Sequence, residues 1–110
     1  MQIVFFGSFQ RLSVLVLEKL RTNFEVVGVV TTPPKPAGRH MTLTETPVAS
    51  HAKAHHIPLF ELETLPTIPR PDFIVVAGYG QKIPSHWLAF PRIMAINMPP
   101  SLLPSYRGAF

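Results

Sequence analysis

The chain has 110 residues and a formal net charge of +4, and 46% of its residues are hydrophobic while only 15% are charged. This composition excludes a disordered chain and predicts one small domain, residues 1–110. The absence of cysteine excludes disulfide scaffolds and thiolate zinc sites. No apolar run approaches the roughly 18 residues of a membrane span, and the N-terminus lacks the pattern of a signal peptide. We therefore expect a cytoplasmic protein without membrane contact, whose basic balance favours anionic partners.

The first half of the chain alternates between predicted strands and helices. Residues 3–6 form a continuous apolar run that is typical of a strand buried on both faces, and residues 12–20 have the apolar spacing of a helix. A β-branched strand follows over residues 25–30. Residues 31–44 form a long loop rich in Pro and Gly, and Thr46-Pro47 then caps and opens the next helix.

The second half continues the alternation and sets the fold class. The predicted elements are a short edge strand at 57–59, a connector at 64–71, a buried strand at 73–77, a short helix within 84–90 and a strand at 93–97. The order predicts an α/β fold with an open, mostly parallel Rossmann-like sheet of about five strands flanked by helices. Ligands of such sheets bind beyond the carboxyl ends of the strands. The predicted ends are Gly7-Ser8, Thr31-Thr32, Gly78-Tyr79-Gly80 and Asn97.

Local patterns offer three candidates for chemistry. His51 and His55 share a predicted helix face and could share a metal, but no third ligand is evident, so no metal site is predicted. Lys35 and Arg39 lie on the long loop, which either carries charge to a phosphate backbone or is simply solvated. Asn97 ends a buried strand, where an amide either donates to an oxyanion or serves a turn. No Gly-rich fingerprint of a nucleotide cofactor is present.

Three segments resemble the methionyl-tRNA formyltransferase family. Residues 97–108 are similar to the family stretch Asn-x-His-Pro-Ser-Leu-Leu-Pro-x-Tyr-Arg-Gly. Residues 34–39 resemble its loop Asp-Lys/Arg-Pro-Ala-Gly-Arg, and residues 74–84 resemble Val-Val-x-Ala-Tyr-Gly-Gln-x-Leu-Pro. The segments occur in the family's order and extend across the chain, which corresponds to the N-terminal half of the family's catalytic domain.

This resemblance implies transfer of a formyl group from 10-formyltetrahydrofolate, a co-substrate, to the amine of methionyl-tRNA. Asn97 matches the catalytic Asn, and Lys35 and Arg39 match the loop that engages the tRNA acceptor end. The positions that match the folate pocket are Tyr79, Gly80, Gln81, Ser101, Leu102, Leu103 and Pro104.

Two departures from the family pattern bear on activity. Pro99 stands where the family has His, and proline can neither donate to an oxyanion nor exchange a proton. The sequence given also ends at Phe110, before the family's later Asp. We therefore expect impaired catalysis by this chain alone, with folate or tRNA binding retained.

Two alternatives follow from the same departures. An apolar last strand at 93–96 would form an open sheet edge, which predicts a homodimer, with an exchanged tail from 101 to 110 as one form of it. The chain would then be a non-catalytic, self-associating half-Rossmann structural module. A composite active site across that dimer is the other alternative, with His40 or His86 replacing the missing imidazole.

Overall fold

The protein folds around a parallel five-stranded sheet, and the computed structural model describes residues 1–8, 11–37, 42–63 and 70–98. The elements in chain order are β1 (Gln2–Phe6), α1 (Arg11–Asn23), β2 (Glu25–Val30), β3 (Lys35–Ala37), β4 (Thr42–Thr44), α2 (Pro47–Ala54), β5 (Leu59–Phe60), β6 (Phe73–Val76), α3 (Ser85–Leu88) and β7 (Met94–Asn97).

The main sheet has the strand order β5-β2-β1-β6-β7, and all of its pairs are parallel. From β1 the chain moves outward to β2 and β5, then returns to the other side of β1 to form β6 and β7. The direction of strand addition therefore reverses between β1 and β6. The predicted α/β class, with five strands in a Rossmann-like sheet, is confirmed.

Apolar side chains cover both faces of the sheet. On β1 the residues alternate, because successive side chains of a strand point to opposite faces. Ile3 and Phe5 join one core cluster with Leu17 of α1, while Val4 and Phe6 join a second cluster. The first cluster lies under α1 and α2, and the second includes Trp87 of α3. This burial on both sides explains why the sequence of β1 is a continuous apolar run.

The start of α2 follows the predicted capping pattern. Thr46 is buried and has extended backbone dihedrals, and its Oγ1 accepts a hydrogen bond of 3.0 Å from the backbone N–H of Ala49. Pro47 occupies the first helical position, where its missing N–H costs nothing. The Thr46 hydroxyl also lies 2.6 Å from that of Thr31, so the cap ties α2 to the end of β2.

The long loop after β2 departs from its prediction as a segment without regular structure. It contains an antiparallel two-stranded hairpin in which Lys35 pairs with Thr44 and Pro36 with Leu43. The β-branched Thr42 and Thr44 favour an extended backbone here. Pro36 is tolerated because a two-stranded ribbon consists only of edge strands.

Smaller differences concern element ends. Helix α1 continues to Asn23, three residues past the predicted end. Strand β5 begins at Leu59 and excludes Pro58, although the Pro58 carbonyl accepts a hydrogen bond of 2.9 Å from the Val29 N–H. Proline lacks a donor for the ladder, so the strand begins after it. Among the described residues, no helix has the length and apolar character needed to cross a membrane.

Candidate functional site

The candidate site is the carboxyl edge of the main sheet, which we define by Ser8, Thr32, the loop 78–81 and Asn97. These positions follow or end β1, β2, β6 and β7. Because the four strands are parallel, all of them end at the same edge of the sheet. In open α/β sheets the crevice at this edge binds ligands where the strand order reverses, which here is between β1 and β6.

Ser8 connects three strand ends at this point of reversal. Its side chain is fully buried. Its Oγ accepts hydrogen bonds from the Gly80 N–H at 3.2 Å, from the Thr32 hydroxyl at 3.1 Å and from the Thr32 N–H at 3.4 Å. The Ser8 N–H donates to the Gly78 carbonyl at 3.1 Å. The one residue therefore holds the loop after β6 against the end of β2.

Glycine is required directly before Ser8 and in the loop after β6 that packs against it. A Cβ on Gly7 would lie 2.5 Å from Cε2 of the Phe5 ring and 3.0 Å from the Ala77 carbonyl oxygen. Gly78 has a φ of 68°, which places it in the left-handed region that glycine enters without strain. The sequence Gly78-Tyr79-Gly80 thus makes the sharp turn that brings the Gly80 N–H to Ser8.

The start of α1 is tied to the same edge. Ser13 is buried, and its Oγ donates a hydrogen bond of 2.6 Å to the carbonyl of Ala77, immediately after β6. A serine in a helix interior is otherwise unfavourable, and this contact explains its position. The first turn of α1 is therefore anchored where β6 leads into the loop 78–81.

Tyr79 presents a half-buried ring at the carboxyl edge. The ring lies edge-to-face on Phe6, with centroids 5.2 Å apart, and the hydroxyl donates a hydrogen bond of 3.0 Å to Gln81 Oε1. Burial raises the pKa of the Tyr79 phenol to about 12, and the negative charges of Glu63 and Glu61 add to this increase. Tyr79 is therefore a neutral hydrogen-bond donor at physiological pH, and its orientation is set by Phe6 and Gln81.

Asn97 ends β7 directly beside the end of β6. Its register partner is Val76, and the next residue, Met98, donates its N–H to the Val76 carbonyl at 2.8 Å. The Asn97 side chain is exposed, and its amide forms no hydrogen bond within the described part of the chain. The amide is thus available to a ligand at the carboxyl edge. Its register partner Val76 is three residues before Tyr79.

The other predicted site residues are only partly placed. Lys35 begins β3, in the hairpin that follows β2, and Arg39 lies outside the described residues. The folate-side positions Ser101, Leu102, Leu103 and Pro104 also lie outside them, as do Pro99 and His40. His86 is described: it is exposed on α3, and its ring lies against that of Trp87, with centroids 5.0 Å apart.

A cavity of about 320 Å³ opens at the carboxyl edge, between the ends of β2 and β5 and helix α2. Its lining includes Thr31, Thr32, Glu45, Lys53 and Phe60. Lys53 Nζ donates to Glu45 Oε2, and this hydrogen bond, with one from Ser50, keeps the pKa of the Glu45 carboxyl below its usual value. The cavity therefore has a charged rim and lies at β2 and β5, apart from Tyr79 and Asn97.

Sequence patterns placed two residues of this site at predicted strand ends but did not predict their contacts. Ser8 was part of a turn without a glycine fingerprint, and Thr32 was a polar residue in a loop. Their roles depend on contacts over 24 and 72 positions in the chain. The available signal was the position of each residue directly after a predicted buried strand.

Comparison with known proteins identifies the family. The model of the formyl transferase family matches residues 1–110. Relatives named methionyl-tRNA formyltransferase include one from Thermotoga maritima, 40% identical over 99% of this chain, and one from Chloroflexus aurantiacus, 43% identical over 98% of it. The chain spans 37% of the length of each of these two relatives.

A solved structure supports the fold. Phosphoribosylglycinamide formyltransferase from Coxiella burnetii, in complex with CHES, aligns with a TM-score of 0.56 over 96% of this chain and 53% of its own. The identity is 17%, so this likeness concerns the fold alone. Because the family model matches all 110 residues, the chain belongs to the formyl transferase family.

Proposed function

We propose that this chain provides the formyl-donor side of a transfer from 10-formyltetrahydrofolate to the amine of methionyl-tRNA, a reaction of the cytoplasm. The observation that carries this proposal is the placement of Asn97 at the end of β7, beside the end of β6 and its loop 78–81. The name of the relatives at about 40% identity supports formyl transfer to methionyl-tRNA, and the family resemblance of the sequence supplies the folate donor.

The proposed chemistry assigns Asn97 a role in stabilising charge. The amine attacks the formyl carbon, and the carbonyl oxygen becomes an oxyanion in a tetrahedral intermediate. The bond from this carbon to N10 of the folate then breaks, N10 takes up a proton and the amine loses one. The exposed Asn97 amide donates its N–H to the oxyanion, a contact whose loss typically lowers kcat by about 10²–10³-fold.

Proton transfer is the step for which this chain lacks the family's imidazole. Pro99 occupies the position of the family's imidazole and has neither a titratable group nor an N–H. A positioned acid or base typically contributes about 10²–10⁴-fold to a rate. We therefore propose that the chain binds the folate while its own turnover is slow.

The folate would lie against the loop 78–81. Tyr79 contributes an oriented apolar ring and a neutral hydroxyl, and Gln81 accepts from that hydroxyl. In the proposal, Ser101, Leu102, Leu103 and Pro104 complete this pocket. Lys35 and Arg39, on the loop after β2, would contact phosphates of the tRNA acceptor end.

Binding and turnover are tested separately. Calorimetry with a non-transferring 10-formyl folate analogue should give saturable heat with the wild type. Formylation of methionyl-tRNA should rise by about 10²–10⁴-fold in Pro99→His, and Asn97→Ala should abolish that gain. Asn23→Ala in the Pro99→His background is the matched control, since Asn23 lies just before the amino end of β2, opposite the carboxyl edge, and should leave the rate unchanged. Absence of heat at millimolar analogue would contradict the proposal.

The tRNA contact has its own test. Replacing Lys35 and Arg39 together by Ala should weaken methionyl-tRNA binding and reduce its salt dependence, since each lost phosphate contact lowers the slope of log affinity against log salt by about one. Lys19→Ala removes an exposed cation from α1 and should leave the slope unchanged. Equal slopes in the wild type and the double variant would exclude this contact.

A second candidate function is a self-associating structural module, and the exposure of β7 favours it. Ile93, Met94 and Ile96 have 53%, 52% and 40% of their surface exposed beside an edge strand of the described sheet. Unpaired apolar edges associate with other strands. We propose a homodimer through β7, which sedimentation at high micromolar concentration should detect. Ile96→Lys should dissociate it, Leu15→Lys on α1 should not, and a monomeric wild type would exclude the module.

A further inference from the structure

Helices α1 and α2 cover the same face of the sheet and bring three potential metal ligands together where they meet. Glu18 lies on α1, and His51 and His55 lie on α2 or directly after it. One ligand atom from each residue lies within 4.8 Å of the other two. The third ligand that the sequence of α2 could not supply therefore comes from α1, across 33 positions of the chain.

The two imidazoles and the carboxylate face one another. The spacing of His51 and His55 places both rings on one face of the helix, with centroids 4.6 Å apart. Glu18 Oε1 lies 2.8 Å from His51 Nε2 and 3.9 Å from His55 Nε2. The same carboxylate oxygen is thus directed at the Nε2 atoms of both rings.

These distances fit a zinc ion with small side-chain rotations. Zinc binds His nitrogens and carboxylate oxygens at about 2.0–2.2 Å, so two ligands at tetrahedral angles lie about 3.4 Å apart. The separations of 2.8 Å and 3.9 Å from Glu18 Oε1 lie on either side of that value. Two imidazoles and one carboxylate, with water in a fourth position, form an established zinc ligand set, and imidazole is a preferred ligand of zinc.

Arg21 orients the Glu18 carboxylate through two hydrogen bonds. Its Nη2 donates to Glu18 Oε2 at 2.6 Å, and its Nε donates to Oε1 at 3.1 Å. The shorter bond holds Oε2, while Oε1 accepts the longer bond and also faces the histidines. Outer hydrogen bonds of this kind fix the orientation of a metal-binding carboxylate.

We propose that Glu18 Oε1, His51 Nε2 and His55 Nε2 bind a zinc ion that joins α1 to α2. Binding replaces the hydrogen bond between His51 and Glu18, and the neutral His51 ring then carries its proton on Nδ1. Glu18 lies seven residues into α1, about 10 Å along the helix from its start near the carboxyl edge. The ion therefore stabilises the helical layer and takes no part in chemistry at Asn97.

The test uses Zn²⁺ and Co²⁺ with the full chain, after removal of metal by a chelator. Zn²⁺ should raise the Tm of the wild type, and Co²⁺ should give the visible absorption of a four-coordinate site. His55→Ala and Glu18→Gln should each weaken Zn²⁺ binding by at least about 10–100-fold and lose the cobalt absorption. His55 is exposed, so its variant should keep the metal-free Tm of the wild type within a few degrees.

His56→Asn is the matched control. His56 is exposed, directly follows His55 and lies outside the cluster. It has a φ of 58°, which Asn also adopts readily. The control should bind Zn²⁺ as the wild type does. Failure of the wild type to bind Zn²⁺, or equal affinity in His55→Ala, would overturn the proposal and leave Glu18, Arg21 and His51 as a metal-free ion network.

Discussion

Replacing Ser8 with Ala tests whether one hydroxyl holds the carboxyl edge together. The Ser8 Oγ accepts from three donors, two on Thr32 and one on Gly80. Alanine fits the space that Ser8 occupies, so the change removes the acceptor with little effect on packing. Thr32 is buried, and its N–H and hydroxyl would lose their described acceptor.

The expected loss follows from the surroundings of each donor. A buried donor that loses its acceptor costs about 1–3 kcal/mol. The Thr32 hydroxyl can rotate, its N–H contact is long at 3.4 Å, and Gly80 is exposed enough for water to replace the bond. For these reasons the loss of three contacts should lower the free energy of unfolding by only about 1–3 kcal/mol, which is near the cost of one buried donor.

Urea denaturation measures this loss as a lower midpoint at an unchanged slope. Ser50→Ala is the matched control, because the Ser50 hydroxyl is exposed and bonds only to Glu45 among the described residues. It should change the free energy of unfolding by less than about 0.5 kcal/mol. A Ser8→Ala protein as stable as the wild type would refute the role of Ser8 as the connection between β1, β2 and β6.

Three further predictions concern the core and the loop after β6. Leu17→Ala should lower the free energy of unfolding by about 2–5 kcal/mol, because Leu17 is fully buried. Leu15 is 55% exposed, so Leu15→Ala should change it by less than about 0.5 kcal/mol. Equal losses in urea denaturation would contradict the assigned core. Gly7→Ala should cost about 1–3 kcal/mol in the same assay, since its Cβ would meet the Phe5 ring, and an unchanged midpoint would refute this close approach. The difference in phenolate absorbance between the wild type and Tyr79→Phe should titrate near pH 12. Because the pKa of Tyr79 is raised on folding, the contribution of the neutral phenol to stability is full below about pH 10 and is lost as the pH rises through 12. Titration near pH 10 would show that the ring is solvated and would contradict this prediction.

Local chemistry made much of the fold predictable. The apolar run that became β1 is buried on both faces, and the pair Thr46-Pro47 begins α2 as its capping chemistry requires. Proline displaced the start of β5 by two residues, and the hairpin of β3 and β4 was missed. Both errors arise where short segments have weak local preferences and pairing with a neighbour decides the outcome.

The candidate site was predictable only where strand ends and family motifs coincide. Asn97 and Tyr79 were identified because each follows or ends an apolar strand within a family motif. Ser8 was placed at a strand end, but its role was not predicted, because its bonds to Thr32 and Gly80 exist only once the strands are paired. The proposed binding roles of Lys35 and Arg39 come from the family resemblance and remain predictions.

Sequence alone determined the strands of the main sheet and the helices, though not the hairpin of β3 and β4, because apolar runs, apolar spacing and helix capping are patterns within a few residues. The tertiary structure decided what those segments bring together. The packing of α1 on α2 places Glu18 against His51, and the pairing of β1 with β2 and β6 places Ser8 between Thr32 and Gly80. These contacts join residues 24 to 72 positions apart, and only the assembled sheet and its helical layer determine such distances.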